Sequence, residues 1–312
     1  MNFERYPWLA DLSSSEAKRA IEEAKVSYKQ TGAVTFPDFL SQSALDSSIQ
    51  DAREQQSTAF TTDDVHTAYL RPINQNTDPN SVENHEMRTQ VASIAFDDLP
   101  KSSTLAEVYR NPSLRELVAR IVGKQEIYLS EDPLGCCSIN VFRPGYHHSF
   151  HFDESEFSVS VSFNYIPYYL ISLMTLTIDL SFKTTLMLQE ASKEGTGLFQ
   201  YTRPLRDRPD DLALEVVAKT ITRYDKSPNS TLLEAQSPNE SVGDLETPPL
   251  HTLDFVPGTL SIFAGSKSLH RVTKVEGNCS RLVAVFTFAS QPGFQNTPEV
   301  QKMFWGRSSA NS

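Results

Sequence analysis

The stretch His148-Ser149-Phe150-His151-Phe152-Asp153-Glu154 decides the fold of this chain, read together with Ser268-Leu269-His270-Arg271 and the arginine at 281. Side chains on a strand alternate with period two, so His151 and Asp153 point to one face. A distant histidine, His270, completes two imidazoles and one carboxylate, a set that can hold a divalent metal on one side and leave its other positions open. Taken alone, the H-x-D pair reads equally well as two half-exposed strand residues. Its company raises it. Pro257-Gly258 leads into the run Thr259 to Phe263, a turn feeding an alternating strand, and His270 follows after a short loop. Arg281 lies eleven residues beyond His270. A guanidinium there is a fixed bidentate partner for a carboxylate.

The chain has 312 residues and a net charge of -11, with 28 Lys and Arg against 39 Asp and Glu. That balance excludes a nucleic-acid surface, which needs concentrated basic residues. The length and the continuous series of strand signals predict one enlarged domain: residues 1–97 as a helical and loop buttress, and 98–312 as the core. Cys136, Cys137 and Cys279 form neither a disulfide framework nor a C-x-x-C metal motif, which points to a reducing compartment. The N-terminal residues lack the basic and apolar regions of a signal peptide, so a cytoplasmic location is expected.

In chain order, Ser13 to Glu16 has the S-x-x-E form of a capping box, and a helix is expected to about Lys29. Gly32 to Leu40 reads as a short strand, and Ser43 to Gln56 as a second helix. Ser57 to Asp97 reads as polar and irregular, a long loop of the kind that forms lids. Arg71 and Arg88 within it are candidate partners for a substrate carboxylate, although each one singly also reads as solvated surface. Helices are expected over Ser103 to Tyr109 and Pro112 to Val122, the second with proline in its first turn and Leu114, Leu117, Val118 and Ile121 on one face. Strands follow at Glu126 to Ser130 and Cys136 to Phe142, the latter carrying Asn140. Between them, Glu131 and Asp132 could meet a substrate ammonium or form a solvated turn. A helix is expected over Asp210 to Ala218, a loose polar loop from Asp225 to Pro249, strands at Leu250 to Phe255, Thr259 to Phe263, His270 to Lys274 and Arg281 to Ala289, and a packed extension from Gln291 to Arg307.

Five stretches carry a resemblance: HFDESEF (151–157), TLMLQEA (185–191), GLFQYTRPLRD (197–207), PGTLSIFAGSKSLHRVTKVEG (257–277) and RLVAVFTFASQPG (281–293). Together they resemble the Fe(II)- and 2-oxoglutarate-dependent oxygenases, in particular the subgroup of free amino-acid hydroxylases and radical halogenases. The likeness runs from about Asp98 to Gly306, with Thr196 replacing the first glycine of the family's Gly-Gly-x-F-x-Y. It implies a mainly β fold with flanking helices: a double-stranded β-helix, the jelly-roll also found in cupins, with N-terminal helices against it. It implies Fe(II) on His151, Asp153 and His270, with O2 and 2-oxoglutarate as co-substrates. Arg281 would take the distal carboxylate of 2-oxoglutarate, and Asn140 is assigned to the same co-substrate. His148 and Glu154, beside the ligands, would face the substrate, although His148 also reads as polar loop surface. Halogenases of the subgroup replace the carboxylate ligand by a small residue. Asp153 fills that position, which favours hydroxylation, with desaturation or cyclisation as variants. The implied substrate is a small amino-acid-like molecule or an intermediate of secondary metabolism, with no nucleic-acid or membrane partner.

Residues 159–183 are anomalous: apolar, nearly uncharged, and near the length of a membrane span. Pro167, Asp179 and a position between two motifs of one site argue against a span. Joining Ser158 to Thr184 restores the family's continuous strand. The segment also back-translates into splice-like signals, which suggests a retained intron. Two rival readings stay open. The same three ligands could serve a zinc hydrolase, or the chain could be an inactive or binding-only member of the fold.

Overall fold

The computed structural model describes residues 1–76, 78, 81–153, 182–208, 210–225 and 247–309. The anomalous segment lies outside these residues except at 182 and 183, and so does Glu154. In chain order the described elements are α1 (Ser15–Thr31), β1 (Ala33–Phe36), α2 (Gln42–Glu54), β2 (Phe60–His66), β3 (Met87–Ile94), α3 (Thr104–Arg110), α4 (Pro112–Val122), β4 (Tyr128–Leu129), β5 (Cys137–Phe142), β6 (His147–His151), β7 (Phe182–Gln189), β8 (Phe199–Tyr201), α5 (Leu214–Tyr224), β9 (His251–Thr252), β10 (Leu260–Phe263), β11 (His270–Val272), β12 (Arg281–Ala289) and α6 (Pro298–Trp305).

The helices begin and end where their sequence chemistry allows. Ser14, not Ser13, caps α1, its hydroxyl accepting from the Ala17 N–H, and the helix stops at Gly32 in the left-handed conformation. Asn111 caps α4 with Pro112 in the first turn, and Gly123 ends it in the same way as Gly32. No helix among the described residues is long and apolar enough to cross a membrane.

The strands form one antiparallel path, β1-β10-β7-β12-β5-β3-β6-β11-β8-β9, with β2 on β3 and β4 on β12. The turning point is β3, whose Ala92–Ile94 pair with β5 while Thr89 and Gln90 pair with β6. The sheet thereby curls onto itself, giving the jelly-roll architecture. The irregular loop expected over 57–97 is corrected here, because it contains β2 and β3. β2 buries only Thr62 and His66, and β3 buries Thr89, Ala92 and Ser93 among Met87, Val91 and Ile94, so the apolar alternation that announces a strand is absent from β2 and diluted in β3. The buttress thus contributes β1, β2 and β3 to the sheet.

Alternation on β12 divides the interior. Leu282, Ala284, Phe286 and Phe288 enter the main apolar core with Leu114, Leu117 and Ile121 of α4. Arg281, Val283, Val285 and Thr287 line a cavity on the opposite face. On β5, Cys137, Ile139 and Val141 face the core while Ser138, Asn140 and Phe142 face the cavity. On the far side, Val217 and Ile221 of α5 pack with Phe150, Phe152 and Leu269 in a second apolar cluster. The helix expected at 210–218 thus starts later, at Leu214.

Candidate metal centre

Strands β6 and β11 pair with His151 opposite His270, and a register shift then sets Val272 opposite His148. Three residues of β11 thus answer four of β6. Such a bulge turns side chains three apart toward one face. His148 and His151 both line the cavity, with ring centroids 3.6 Å apart and planes within 11°. Phe150 and Phe152 point away into the second apolar cluster.

His151, Asp153 and His270 converge, their candidate ligand atoms all within 4.8 Å of one another. Each imidazole is oriented from behind: His151 Nδ1 lies 2.8 Å from the Ser149 carbonyl and His270 Nδ1 lies 2.9 Å from that of Ser268. A carbonyl can only accept, so both Nδ1 atoms carry the proton and both Nε2 atoms keep their lone pairs, the form that binds metal. His270 Nε2 is 3.8 Å from Asp153 Oδ1. Burial, reinforced by His270, holds His151 well below its ordinary pKa of 6.5 and so neutral. Asp153 is fixed by its own N–H, which donates to the Gly265 carbonyl at 3.0 Å. Gly265 leaves room for the carboxylate: a Cβ there would lie 1.8 Å from Asp153 Oδ2.

Arg281 opens β12 opposite Phe142 and is 2 % exposed. Its guanidinium lies 5.4 Å from the Phe142 ring centroid and 6.0 Å from that of Phe255. Burial pushes its pKa down to about 9, against the opposing pull of Glu190, so it is still a cation at neutral pH. Its Nε has no hydrogen-bond partner among the described residues. A buried cation with an unmet donor calls for an anion. The donor set thus fits both groups the sequence implies, two imidazoles and a carboxylate for a divalent metal and a guanidinium for a carboxylate. Asn140 also lines the cavity, its Oδ1 accepting from Ser93 Oγ at 3.2 Å.

Two candidates are not brought to the cavity. Arg88 is an exposed residue of β3 whose Nε and a terminal nitrogen each reach a carboxylate oxygen of Asp63 at 2.8 Å. Arg71 is exposed, and its backbone N–H is turned to Thr67 Oγ1 at 3.3 Å. Both substrate assignments are therefore corrected, since neither side chain lines the cavity. Asp132 is neither solvated nor facing a ligand. It is fully buried, and its carboxylate accepts from the backbone N–H groups of Leu134, Gly135 and Asn296 and from Asn296 Nδ2. Those bonds fasten the C-terminal segment, whose Asn296 and Trp305 close one end of the cavity. Gly265 was not legible as a site feature, and neither was the stacking of His148 on His151. A glycine after a strand reads as a turn, and a bulge leaves no mark in the sequence.

No family model matches the chain, and no curated protein matches it. Among solved structures it is similar to the non-heme alpha ketoglutarate dependent epimerase SnoN from nogalamycin biosynthesis, with a TM-score of 0.52 and 11% identity over 87% of this chain and 83% of that one. It is similar to the non-heme alpha ketoglutarate dependent carbocyclase SnoK from the same biosynthesis, with a TM-score of 0.51 and 14% identity over 87% of each chain. AviO1 from Streptomyces viridochromogenes Tue57 aligns with a TM-score of 0.52 and 9% identity, over 89% of this chain and 97% of that one. The chain shares their jelly-roll fold. At such identities the likeness is one of fold, and chemistry is argued from the site.

Proposed function

We propose that the chain is an Fe(II)- and 2-oxoglutarate-dependent oxygenase that hydroxylates a small amino-acid-like molecule, with desaturation or cyclisation as alternative outcomes. One observation carries the reading: the His151, Asp153 and His270 cluster, with both imidazoles oriented through Nδ1, shares a cavity with the buried cation of Arg281. The chemistry supplied when metal and co-substrate are bound is oxidation of a substrate C–H bond by O2, coupled to decarboxylation of 2-oxoglutarate to succinate.

The chain's own residues do the rest. His151, Asp153 and His270 hold the metal on one side and leave the other side for exchangeable ligands. Arg281 takes the distal carboxylate of 2-oxoglutarate as a charge-assisted pair in a site shielded from water, where such a pair is strongest. Asn140 contributes its amide beside Arg281. His148, stacked on His151, turns its ring edge to the substrate. Phe199, Phe255 and Phe263 wall the cavity and exclude water. Asp153 occupies the coordination position a halide would need, so hydroxylation rather than halogenation follows. Glu154 as a substrate contact belongs to the same reading and lies outside the described residues.

The test is anaerobic addition of Fe(II) and 2-oxoglutarate to metal-free protein. A weak visible metal-to-ligand charge-transfer band is expected, absent in His270→Ala. Folded protein that binds iron without the band removes the oxygenase reading and leaves zinc-type hydrolysis. Succinate release screened against free amino acids and small peptides then finds the substrate class.

A further inference from the structure

Arg206 does not line the cavity, yet it is only 6 % exposed and touches both segments that fix Asp153. Its guanidinium carbon lies 3.9 Å from the centroid of the Phe152 ring. Its Nε donates to the Ser266 carbonyl at 2.6 Å. Phe152 immediately precedes Asp153. Ser266 immediately follows Gly265, whose carbonyl receives the Asp153 N–H and whose bare Cα faces the Asp153 carboxylate. The two contacts therefore bracket the carboxylate from either side.

The bracket is itself anchored. Phe152 stacks on Tyr69, centroids 5.8 Å apart and planes within 21°, and the Tyr69 hydroxyl donates to the Leu212 carbonyl at 2.8 Å. The segment that carries Arg206 is tied to the loop before β11, with the Leu205 N–H donating to the Lys267 carbonyl at 2.8 Å and the Thr202 N–H to that of Leu269 at 2.9 Å. Burial pushes Arg206 down to about 10, and the chain keeps this cation in place of an apolar residue that would be easier to bury. A guanidinium does two things at once that no apolar residue does: its flat face packs on a ring while its edge donates in the plane.

We infer that Arg206 is the positioning residue for the Asp153 carboxylate, setting the spacing between the end of β6 and the Gly265 turn and so the direction in which that carboxylate faces His151 and His270. This rests on the metal-centre reading. Arg206 acts through Phe152 and Ser266. Outer-shell partners of this kind commonly change metal affinity 10 to 100-fold, on the order of the effect expected here.

The test uses the full chain stripped of metal with a chelator and titrated with Co(II), whose visible bands report ligand geometry. The wild type is expected to bind Co(II). Arg206→Met should bind it at least about tenfold more weakly and with altered bands. Arg206→Lys, which keeps a cation and a donor but not the flat stack, should fall between. Melting of the metal-free proteins is recorded alongside, because a merely structural role would lower that melting point and leave affinity and bands unchanged. Folded Arg206→Met with Co(II) affinity within twofold of wild type and identical bands overturns the inference while the metal centre stands. If Arg206→Met does not fold, Arg206→Lys is judged by the same criterion. Wild-type protein that binds no Co(II) overturns the metal centre and this inference together.

Discussion

Two residues at the centre of the site carry opposed predictions. A Cβ at position 265 would sit 1.8 Å from Asp153 Oδ2, inside any contact distance, and the group in its way is the carboxylate proposed as a metal ligand. Gly265→Ala is therefore expected to swing Asp153 out of the cluster and weaken Co(II) binding by at least about tenfold. Its far-UV circular dichroism should stay that of the wild type, since the position needs no left-handed backbone; undiminished Co(II) affinity would show that the carboxylate is not a ligand. Arg281 works the other way. A buried guanidinium with an unmet Nε burdens the ligand-free fold, and replacing such a charge by an apolar side chain of similar volume is commonly neutral or stabilising. Arg281→Met should leave the ligand-free unfolding free energy unchanged or raise it by about 1 kcal/mol, and should abolish the charge-transfer band with Fe(II) and 2-oxoglutarate. A clear loss of ligand-free stability by chemical denaturation would mean that Arg281 serves the fold and not the co-substrate.

At the scale of elements, the bulge in β6 and the Asp132 anchor shape the cavity. Alternation on an unbroken strand would have turned His148 away from His151; the register shift against β11 brings the two rings into a flat stack and leaves Phe150 and Phe152 free to hold α5. Asp132 joins the turn before β5 to the segment before α6 through four N–H donors. Hydrogen bonds to a buried charged group are worth about 1.5–3 kcal/mol each, and removing the acceptor strands every donor it served. Asp132→Ala should then cost about 3 kcal/mol or more in urea unfolding and detach the C-terminal segment, read as faster amide exchange at Asn296 and through α6. Unaltered exchange there would refute the anchoring role. The second and third strands were hidden for a related reason: β2 buries only a threonine and a histidine, and β3 mixes threonine, serine and alanine with Met87, Val91 and Ile94, so the segment reads as loop although β3 is where the sheet turns from β5 to β6.

For the molecule as a whole, the open question is residues 159–183. The strand that follows begins with the segment's last two residues, Lys183 pairing with β10 and Phe182 with β12, but makes most of its pairs from Thr184 onward, and the candidate ligands His151 and Asp153 precede the segment. A chain lacking 159–183 is therefore expected to fold and to bind Co(II) as the full chain does, with mature transcripts that lack the segment. A deletion chain that fails to fold, or transcripts that keep the segment at full abundance, would make it part of the protein. The sequence by itself determined α1 to α5 through their caps and spacing and the later strands through alternation, and it singled out His151, Asp153, His270 and Arg281 as candidates, because residue type, period and order are local properties written along the chain. Only the tertiary structure decided which polar residues serve the cavity. It sent Arg88 to Asp63, turned Arg71 outward, buried Asp132 as an anchor, stacked His148 on His151, and set Gly265 and Arg206 around Asp153. Each of those outcomes depends on register, a bulge or the approach of segments distant in sequence, and none of these is encoded in any single stretch.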